Sequence, residues 1–310
     1  MMAGSFNSVR KEREAFMKKI LLSAILTVSC VFMMSCGNNS TSTGSSGSST
    51  QNELAGSLSF EYVIHCTDGT EYGTKRYDDL STMLLGLDRG DIDSIPMSKS
   101  VVDYIANTQG DGKYVVETTD FSEKYSLGVS DTHLDILPSC NDAILAMQED
   151  GTLAKLQDEY ITKLINGDEP EAVTFETVDG RDTLKVGVTG DLPPMDYISA
   201  DGVPMGFNTA FLAELGKRID MNIELVNINS GSRAAALVSN KVDMIFWVVS
   251  MDFSNATKPE NLENIDYIEL NGSKISPTDT ELAETLFTIP EGVYISEPYF
   301  TDTTGILRKK

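Results

Sequence analysis

The sequence predicts an α/β fold, and three patterns carry that prediction. Strand-like and helix-like stretches alternate from Leu58 onward, which is typical of α/β domains. The stretch Val242–Val249 is almost continuously apolar, as expected for a strand buried on both faces of a parallel sheet. An acidic segment, Asn166–Thr183, contains Gly167 and Pro170 and interrupts the alternation. This interruption divides the chain into two blocks.

The first block begins with a strand and then alternates. Apolar side chains at helical spacing, Leu80, Met83, Leu84 and Leu87, predict a helix over Asp78–Asp88. The other predicted helices of this block are Val101–Thr108, Cys140–Met147 and Leu153–Leu164. The predicted strands, rich in β-branched and aromatic residues, are Ser57–Ile64, Ile92–Met97, Tyr114–Thr118 and Tyr125–Ser130.

The second block repeats the alternation. Apolar side chains on one face, Phe211, Leu212 and Leu215, predict a helix over Asn208–Ile219. A second helix is predicted over Arg233–Val238. The predicted strands are Leu184–Val188, Ile223–Val226, Val242–Val249 and an extended stretch, Tyr294–Leu307. The polar, poorly periodic residues Ser254–Thr288 predict a long loop or insertion.

The N-terminus has the features of an export signal. A basic start at Met17-Lys18-Lys19 precedes an apolar run, Ile20–Met34, which is short for a membrane span. The run ends Ser35-Cys36-Gly37, which resembles a bacterial lipobox, although Met33 stands where Leu is usual. This resemblance implies a lipoprotein signal over residues 17–36 with lipid on Cys36. The alternatives are an uncleaved anchor or an ordinary signal.

Two further N-terminal segments flank this signal. Residues 1–16 are interpreted as upstream sequence from a misassigned start, because Met17 opens a complete signal by itself. Residues 37–56 are mostly Gly, Ser, Thr, Asn and Gln, a composition that buries little surface and predicts a flexible tether.

Charge and cysteine content exclude several classes of function. The net charge of -23 gives a surface that repels nucleic acid. No pair of cysteines is spaced as C-x-x-C, and the two histidines, His65 and His133, lie far apart in sequence, so no metal or cofactor is predicted. Cys66 and Cys140 are expected either to pair in an oxidising envelope or to remain buried thiols. The sequence contains no nucleophile elbow and no phosphate loop.

Several stretches resemble the bacterial extracellular solute-binding proteins of family 3, the amino-acid type of periplasmic binding protein type II. The stretches are LKVGVTGDLPPMDYISADGVPMGFNTAFLAEL (184–215), KVDMIF (241–246), YISEPYF (294–300), YDDLSTMLLGLDRGDIDSI (77–95), KYSLGVS (124–130) and NDAILAMQEDGTLAKLQDEY (141–160). The resemblance implies a two-lobed, Venus-flytrap α/β fold that closes on a ligand about two hinge strands. It further implies a binding protein for an ABC importer rather than an enzyme.

The order of these stretches is unusual, because the half that comes late in the family comes first here. We interpret the order as a circular permutation in which residues 166–183 join the old ends. A fragment of a tandem pair and a domain-swapped oligomer are the alternatives. The predicted organisation is a small second lobe over 57–115, a first lobe over 116–300 with an insertion at 254–288, and a hinge strand over 301–310.

The resemblance also implies a set of ligand-contacting residues. Three lie on the cleft loop of the first lobe: Asp191, Asp196 and Tyr197. Two follow the apolar strand, at the edge where parallel sheets bind ligands: Trp247 and Ser250.

Two charged anchors of the family's amino-acid binders are missing. Their carboxylate-binding Arg is replaced in Pro290-Glu291-Gly292, and Ser98 stands where they carry an ammonium-binding Asp. Arg233 is the candidate substitute for the carboxylate contact.

The sequence therefore predicts an exported solute-binding lipoprotein of an ABC importer, held at the outer face of the cell membrane. Its predicted partners are a small polar solute, amino-acid-like or related, an ABC permease in the cytoplasmic membrane and the lipid anchor. A ligand-sensing or scaffold protein of the same fold is the alternative. A dehydratase-like enzyme using Asp191, Asp196 or Glu297 is less favoured, because these acids have no recognisable catalytic partner.

Overall fold

A computed structural model describes most of the chain after residue 61. The described residues are 62–67, 69, 71–73, 77, 80–229, 232–251, 265–270, 273–276 and 292–310. The predicted signal, Cys36 and the tether lie outside these residues, as does most of the predicted insertion.

The described strands and helices alternate as the sequence predicts. The strands are β1 Tyr62–Cys66, β2 Glu71–Gly73, β3 Ile95–Ser98, β4 Tyr114–Ser130, β5 Thr183–Val188, β6 Asp191–Leu192, β7 Asp196–Ile198, β8 Pro204–Met205, β9 Asn222–Asn227, β10 Met244–Met251, β11 Ile265–Leu270, β12 Ser273–Ile275 and β13 Val293–Lys309. The helices are α1 Leu80–Arg89, α2 Lys99–Tyr104, α3 Leu137–Glu149, α4 Thr152–Gln157, α5 Lys163–Ile165, α6 Phe207–Arg218 and α7 Arg233–Val238. π-helical turns extend α2 over Ile105–Gln109 and join α4 to α5 over Asp158–Thr162, and a 3₁₀ turn, Asp131–Ile136, precedes α3.

A six-stranded mixed sheet organises the chain, in the order β3-β13-β4-β10-β5-β9. Strands β9, β5 and β10 run parallel to one another. Strand β4 lies antiparallel between β10 and β13. Because β4 comes from the first block and its two neighbours come from the second, both halves of the chain build one sheet.

Two long strands, β4 and β13, each of 17 residues, form the centre of this sheet. Their pairing is interrupted where Thr303 faces Ser122 and Gly305 faces Thr118, so residues 119–121 oppose Thr304 alone. We call this interruption the strand junction. On one side of it β13 also pairs with β3, and on the other side β4 pairs with β10.

Helix α6 covers the sheet with aromatic side chains. Phe211 stacks on Tyr299 with ring centroids 4.3 Å apart, and Phe207 lies 5.0 Å from Phe300. The helix begins after Gly206, whose φ of 103° favours glycine. A Cβ atom there would also collide with the carbonyl oxygen of Met195. This close approach fixes the start of α6 against the loop that precedes it.

Two predictions about secondary structure were wrong. The strands predicted over Tyr114–Thr118 and Tyr125–Ser130 are one strand, β4, because Ser122, Glu123 and Lys124 between them still pair with β13. The stretch 254–288 is predicted as a long loop or insertion, and its described part is not a loop, because it contains β11 and β12 and β11 pairs antiparallel with β1. Both errors have the same cause. A polar segment without apolar alternation can still form a strand when its backbone pairs with a distant strand.

Two smaller sheets accompany the main one. A four-stranded sheet has the order β12-β11-β1-β2, and a three-stranded sheet of short strands has the order β6-β7-β8. Within the described part of the chain, no helix combines the length and the apolar character that crossing a membrane requires.

Replacing Gly206 with Ala is expected to destabilise the protein by at least about 2 kcal/mol. The Cβ atom would clash with backbone and would have to adopt a φ that L residues rarely occupy. The control is Gly202→Ala, where φ is also positive but no atom lies within 4 Å of the new Cβ. Urea unfolding of both variants tests this, and equal losses of stability would show that Gly206 is not held by packing.

Candidate functional site

Asp196 fastens the loop at the carboxyl end of β5. Its Oδ2 accepts hydrogen bonds from the backbone N–H of Thr189 and of Gly190, both at 2.9 Å, and from the Thr189 hydroxyl at 2.8 Å. The side chain is 2% exposed, and burial raises its pKa to about 6 against the lowering effect of these donors. No hydrogen bond from the described residues reaches Oδ1. Asp196 is therefore a buried carboxyl group with one oxygen engaged and one oxygen available.

Arg233 connects this loop to the end of β10. Its Nη1 donates to the carbonyl oxygen of Phe246 at 3.2 Å and lies 3.5 Å from that of Trp247. Asp196 and Asp191 both act on the guanidinium electrostatically and raise its pKa, although burial lowers it by more. The three charged residues predicted from the cleft loop and from α7 are thus brought together.

Trp247 has an unusual backbone at this point. Its φ is 65°, a left-handed conformation that is rare for a bulky residue. The pairing of β10 with β4 is irregular between Ile245 and Val248, so Trp247 lies in a bulge. Its ring packs on that of Tyr125, with centroids 4.1 Å apart, and is 5% exposed. The indole is therefore a buried wall, and its contact with a ligand stays a prediction.

A buried polar pair supports this bulge from the opposite side. The hydroxyl of Tyr299 accepts from the backbone N–H of Trp247 at 3.3 Å and donates to Oδ1 of Asn208 at 3.0 Å. Asn208 is fully buried, and its Nδ2 has no partner among the described residues. Tyr299 therefore links α6 to the strained part of β10.

Ser98 lies at the end of β3, next to a carboxylate from another strand. Its hydroxyl donates to Oδ2 of Asp302, which also accepts from the backbone N–H of Ser100 at 2.9 Å. The position that lacks the family's Asp is thus beside an acid supplied by β13. Oδ1 of Asp302 accepts from the backbone N–H of Thr303 at 2.8 Å, so both of its oxygens are engaged.

A second acid, Glu123, lies directly opposite Asp302 in the pairing of β4 with β13. It is fully buried, and the hydroxyls of Tyr125 and Thr304 donate to its two oxygens, the latter at 2.7 Å. Burial and, to a smaller extent, the charge of Asp302 raise the pKa of Glu123 to about 7 against the lowering effect of its two hydroxyl donors. The Ser98 hydroxyl donates to Asp302, which connects this pair of acids to Ser98.

Contacts thus link most of the predicted ligand residues in one continuous polar belt. From one end to the other, the polar belt consists of Asp196, Arg233, Trp247, Tyr125, Glu123, Asp302 and Ser98. Because it follows the carboxyl ends of the parallel strands β5 and β10, it lies where ligands bind in α/β sheets.

The remaining predicted site residues lie outside the belt. Asp191 is exposed beside it. Tyr197 is half-buried, and burial, with smaller contributions from Tyr104, Tyr160 and Glu169, raises its pKa to about 12. The backbone of Ser250 pairs with Lys124, and its side chain lies outside the described part.

Sequence reasoning missed four residues of the site. They are Glu123, Tyr125, Tyr299 and Asp302. Each lies inside or next to a stretch interpreted only as a strand, and alternation within a strand does not distinguish a side chain that packs from one that bonds across the sheet. One sequence feature could have indicated Glu123 and Asp302 as site residues, namely their polar character within long extended segments.

The histidines and the described cysteine have local partners. His65 stacks on Tyr267 at 4.1 Å, and Nε2 of His133 lies 3.4 Å from Oδ1 of Asp243. Cys140 is a buried free thiol, and burial raises its pKa to about 12. Within the described residues, no group of three His, Cys, Asp or Glu is placed to hold a metal ion. The Cys140 thiol fits the second of the two alternatives for the cysteines.

Tyr299→Phe is expected to cost about 1–2 kcal/mol of stability. The change leaves the carbonyl oxygen of Asn208 and the backbone N–H of Trp247 buried without this hydroxyl. The matched control on the same strand is Tyr294→Phe, since Tyr294 is 43% exposed and the loss of its hydroxyl should be neutral. Urea unfolding measures both, and a neutral Tyr299→Phe would show that the hydroxyl does not support the bulge.

Asp196→Asn should change the dependence of stability on pH. Because the pKa of Asp196 is raised from 3.8 to about 6, the folded chain binds more protons than the unfolded chain within that window. The stability of the original protein therefore falls as pH rises through the window, by about 3 kcal/mol that the Asn variant does not lose. Urea unfolding between pH 4 and about 7 tests this, with the exposed Asp201→Asn as control. A pH-independent difference would contradict the assignment.

Comparison with known proteins identifies part of the chain. Residues 184–258 match the family described as bacterial extracellular solute-binding proteins, family 3, which confirms the resemblance over this segment, less than half of the chain. No curated protein matches.

Many solved structures match with low scores. The structure of the PBP AgaA from A. tumefaciens R10 with agropinic acid has 13% identity and a TM-score of 0.38, covering 79% of this chain and 56% of its own. NikA from Staphylococcus aureus with Ni(L-His)2 has 8% identity and a TM-score of 0.38, covering 77% and 57%. OppA from Listeria monocytogenes bound to peptide has 12% identity and a TM-score of 0.35, covering 78% and 54%. The chain spans little more than half the length of these proteins, and the scores are too low to support inference about a ligand.

Proposed function

Because residues 184–258 match the bacterial extracellular solute-binding proteins of family 3, we propose that the chain is an extracytoplasmic solute-binding protein of an ABC importer. The observation that carries the proposal is the position of the match. It includes six of the seven predicted ligand residues, namely Asp191, Asp196, Tyr197, Arg233, Trp247 and Ser250.

The solute binds along the polar belt in this proposal. Asp196 and Arg233 contact it from the first lobe, and Ser98 contacts it from the side of β3 and α2. The strand junction lies between these two sides, because the β3 pairing and the β10 pairing are on opposite sides of it. A solute that touches both sides stabilises the arrangement in which they approach, so binding shifts the population toward the closed form.

The charges of the belt favour a small polar solute, amino-acid-like or related. The guanidinium of Arg233 supplies a donor, and Oδ1 of Asp196 supplies an acceptor. Gly292 stands where the family's amino-acid binders carry an Arg, so a carboxylate would depend on Arg233. The acids at the Ser98 end already accept from hydroxyl or backbone donors, which suits them to holding strands together.

The belt is suited to binding rather than to catalysis. Each of its buried acids accepts hydrogen bonds from Thr, Ser or Tyr hydroxyls or from backbone N–H groups. None of those donors is paired with a base in these contacts, as a nucleophile would require. We therefore propose that the chain is not an enzyme.

The remaining parts of the proposal concern location and chain order. The signal over residues 17–36 exports the chain, lipid on Cys36 holds it at the outer face of the membrane, and the tether over 37–56 lets it reach an ABC permease. The position of β4 between β10 and β13 supports a circular permutation, because the first block supplies a strand that the second block lacks.

A thermal-shift screen of the full chain against amino acids, peptides, carboxylates, polyamines and sugars tests the proposal. A ligand at about 100 times its Kd stabilises the folded chain by about 2.7 kcal/mol, which is readily detected. The shift should be lost in Arg233→Gln. It should be retained in Arg181→Gln, whose ion pair with Asp220 lies at the opposite end of β5.

A cooperative melt with no shift across the panel would contradict solute binding. It would favour the alternative of a sensor or scaffold with the same fold.

A further inference from the structure

The strand junction is the place where the two parts of the main sheet are joined only by β4 and β13. Regular pairing stops between Thr303 and Gly305, so Thr304 has no regular partner on β4. Backbone contact across the junction is therefore reduced. Side chains must supply what the ladder does not, and two hydroxyl contacts do so, one from Thr304 on β13 and one from Thr119 on β4.

The first of these contacts comes from Thr304. Its hydroxyl donates to Oε1 of Glu123 at 2.7 Å, and its carbonyl oxygen accepts from the Thr119 hydroxyl at 3.0 Å. Both Glu123 and Thr304 are fully buried. The carboxyl group of Glu123 thus bridges the junction within the sheet.

The surroundings of Glu123 contain one acid and no compensating cation among its described contacts. Asp302 faces it from β13, and the Tyr125 hydroxyl faces it from β4. The Ser98 hydroxyl, at the end of β3, donates to Asp302. On β10, Met251 pairs with Glu123 through the backbone. Lys124 is the next residue along β4. Because side chains alternate between the faces of a strand, neighbouring residues such as Lys124 and Glu123 project to opposite faces.

We infer that Glu123 is a proton-controlled clamp: with its carboxyl group protonated it holds β4 to β13 across the strand junction, and when ionised beside Asp302 it loosens the junction. The inference concerns the proton as ligand and does not depend on the proposed solute.

The physical reason is the cost of a second negative charge in a dry site. Asp302 accepts hydrogen bonds from three donors, those of Ser98, Ser100 and Thr303. Ionising Glu123 opposite it places two carboxylates across one strand pair, and like charges in that arrangement repel. The raised pKa of Glu123, about 7, puts this change near neutral pH. Because the junction lies between the Ser98 side and the Asp196 side of the polar belt, loosening it changes how those sides approach each other.

The fluorescence of Trp247 reports on this change in the absence of any ligand. Trp247 is the only Trp in the chain, and its ring packs on Tyr125, whose hydroxyl bonds to Glu123. A titration of the full chain should show a transition centred near pH 7. It should be absent from Glu123→Gln, whose side chain has nearly the same shape and carries no charge.

Two control variants complete the titration. The transition should persist in Glu176→Gln, which makes the same substitution at an exposed acid. It should also persist in Asp196→Asn, which removes the other buried acid near Trp247. A transition that survives in Glu123→Gln, or that disappears in Asp196→Asn, would overturn the inference.

Hydrogen exchange of the original protein provides a second test that does not need the variant to fold. Amides at the junction, such as those of Thr118 and Gly305, should lose at least tenfold protection between pH 6 and about 8, after correction for intrinsic rates. Amides of β5 and β9 should keep theirs. Unchanged protection at the junction would overturn the inference even if a solute is later found, so this result is independent of the proposed function.

Discussion

Strand β4 lies antiparallel between β10 and β13, and its backbone hydrogen bonds join the two halves of the chain into one sheet. Without β4, the edges of β10 and β13 would leave rows of unpaired N–H and C=O groups in the interior, which costs free energy. The polar belt depends on this insertion, because β4 also brings Tyr125 and Glu123 between residues of the second block. The site therefore cannot form from either block alone.

The unusual backbone of Trp247 shows how the belt is maintained. A left-handed Trp stores strain, and such a conformation persists only where the surroundings determine it. Arg233 holds its carbonyl oxygen, the Tyr299 hydroxyl holds its N–H, and Tyr125 packs on its ring. These contacts come from a helix and two strands, so the position of the indole reports on the packing of the whole sheet.

Three acids lie in or near the belt: Asp196, Glu123 and Asp302. Their carboxyl groups have different roles because their surroundings differ. Burial raises the pKa of Asp196 and of Glu123, whereas Asp302 is partly exposed. Hydroxyl or backbone donors bond to each of the three, which limits the penalty of placing them in the interior, and Oδ1 of Asp196 is the oxygen that these donors leave available. The proposed solute binding at one end of the belt and the proposed proton-controlled clamp at the other are compatible, because separate acids serve them.

The sequence by itself determined the α/β class, most strands and helices, and the segment 184–258 that carries the family pattern. The strands and helices follow from local periodicity, whereas the family pattern is a resemblance to known sequences. The sequence also indicated Asp196, Arg233 and Trp247, because all three lie within that segment. Only the tertiary structure decided that Asp302 stands beside Ser98 and that Glu123 bridges the strand junction. Those contacts join residues about two hundred positions apart, and strand pairing across such a separation leaves no local pattern to read.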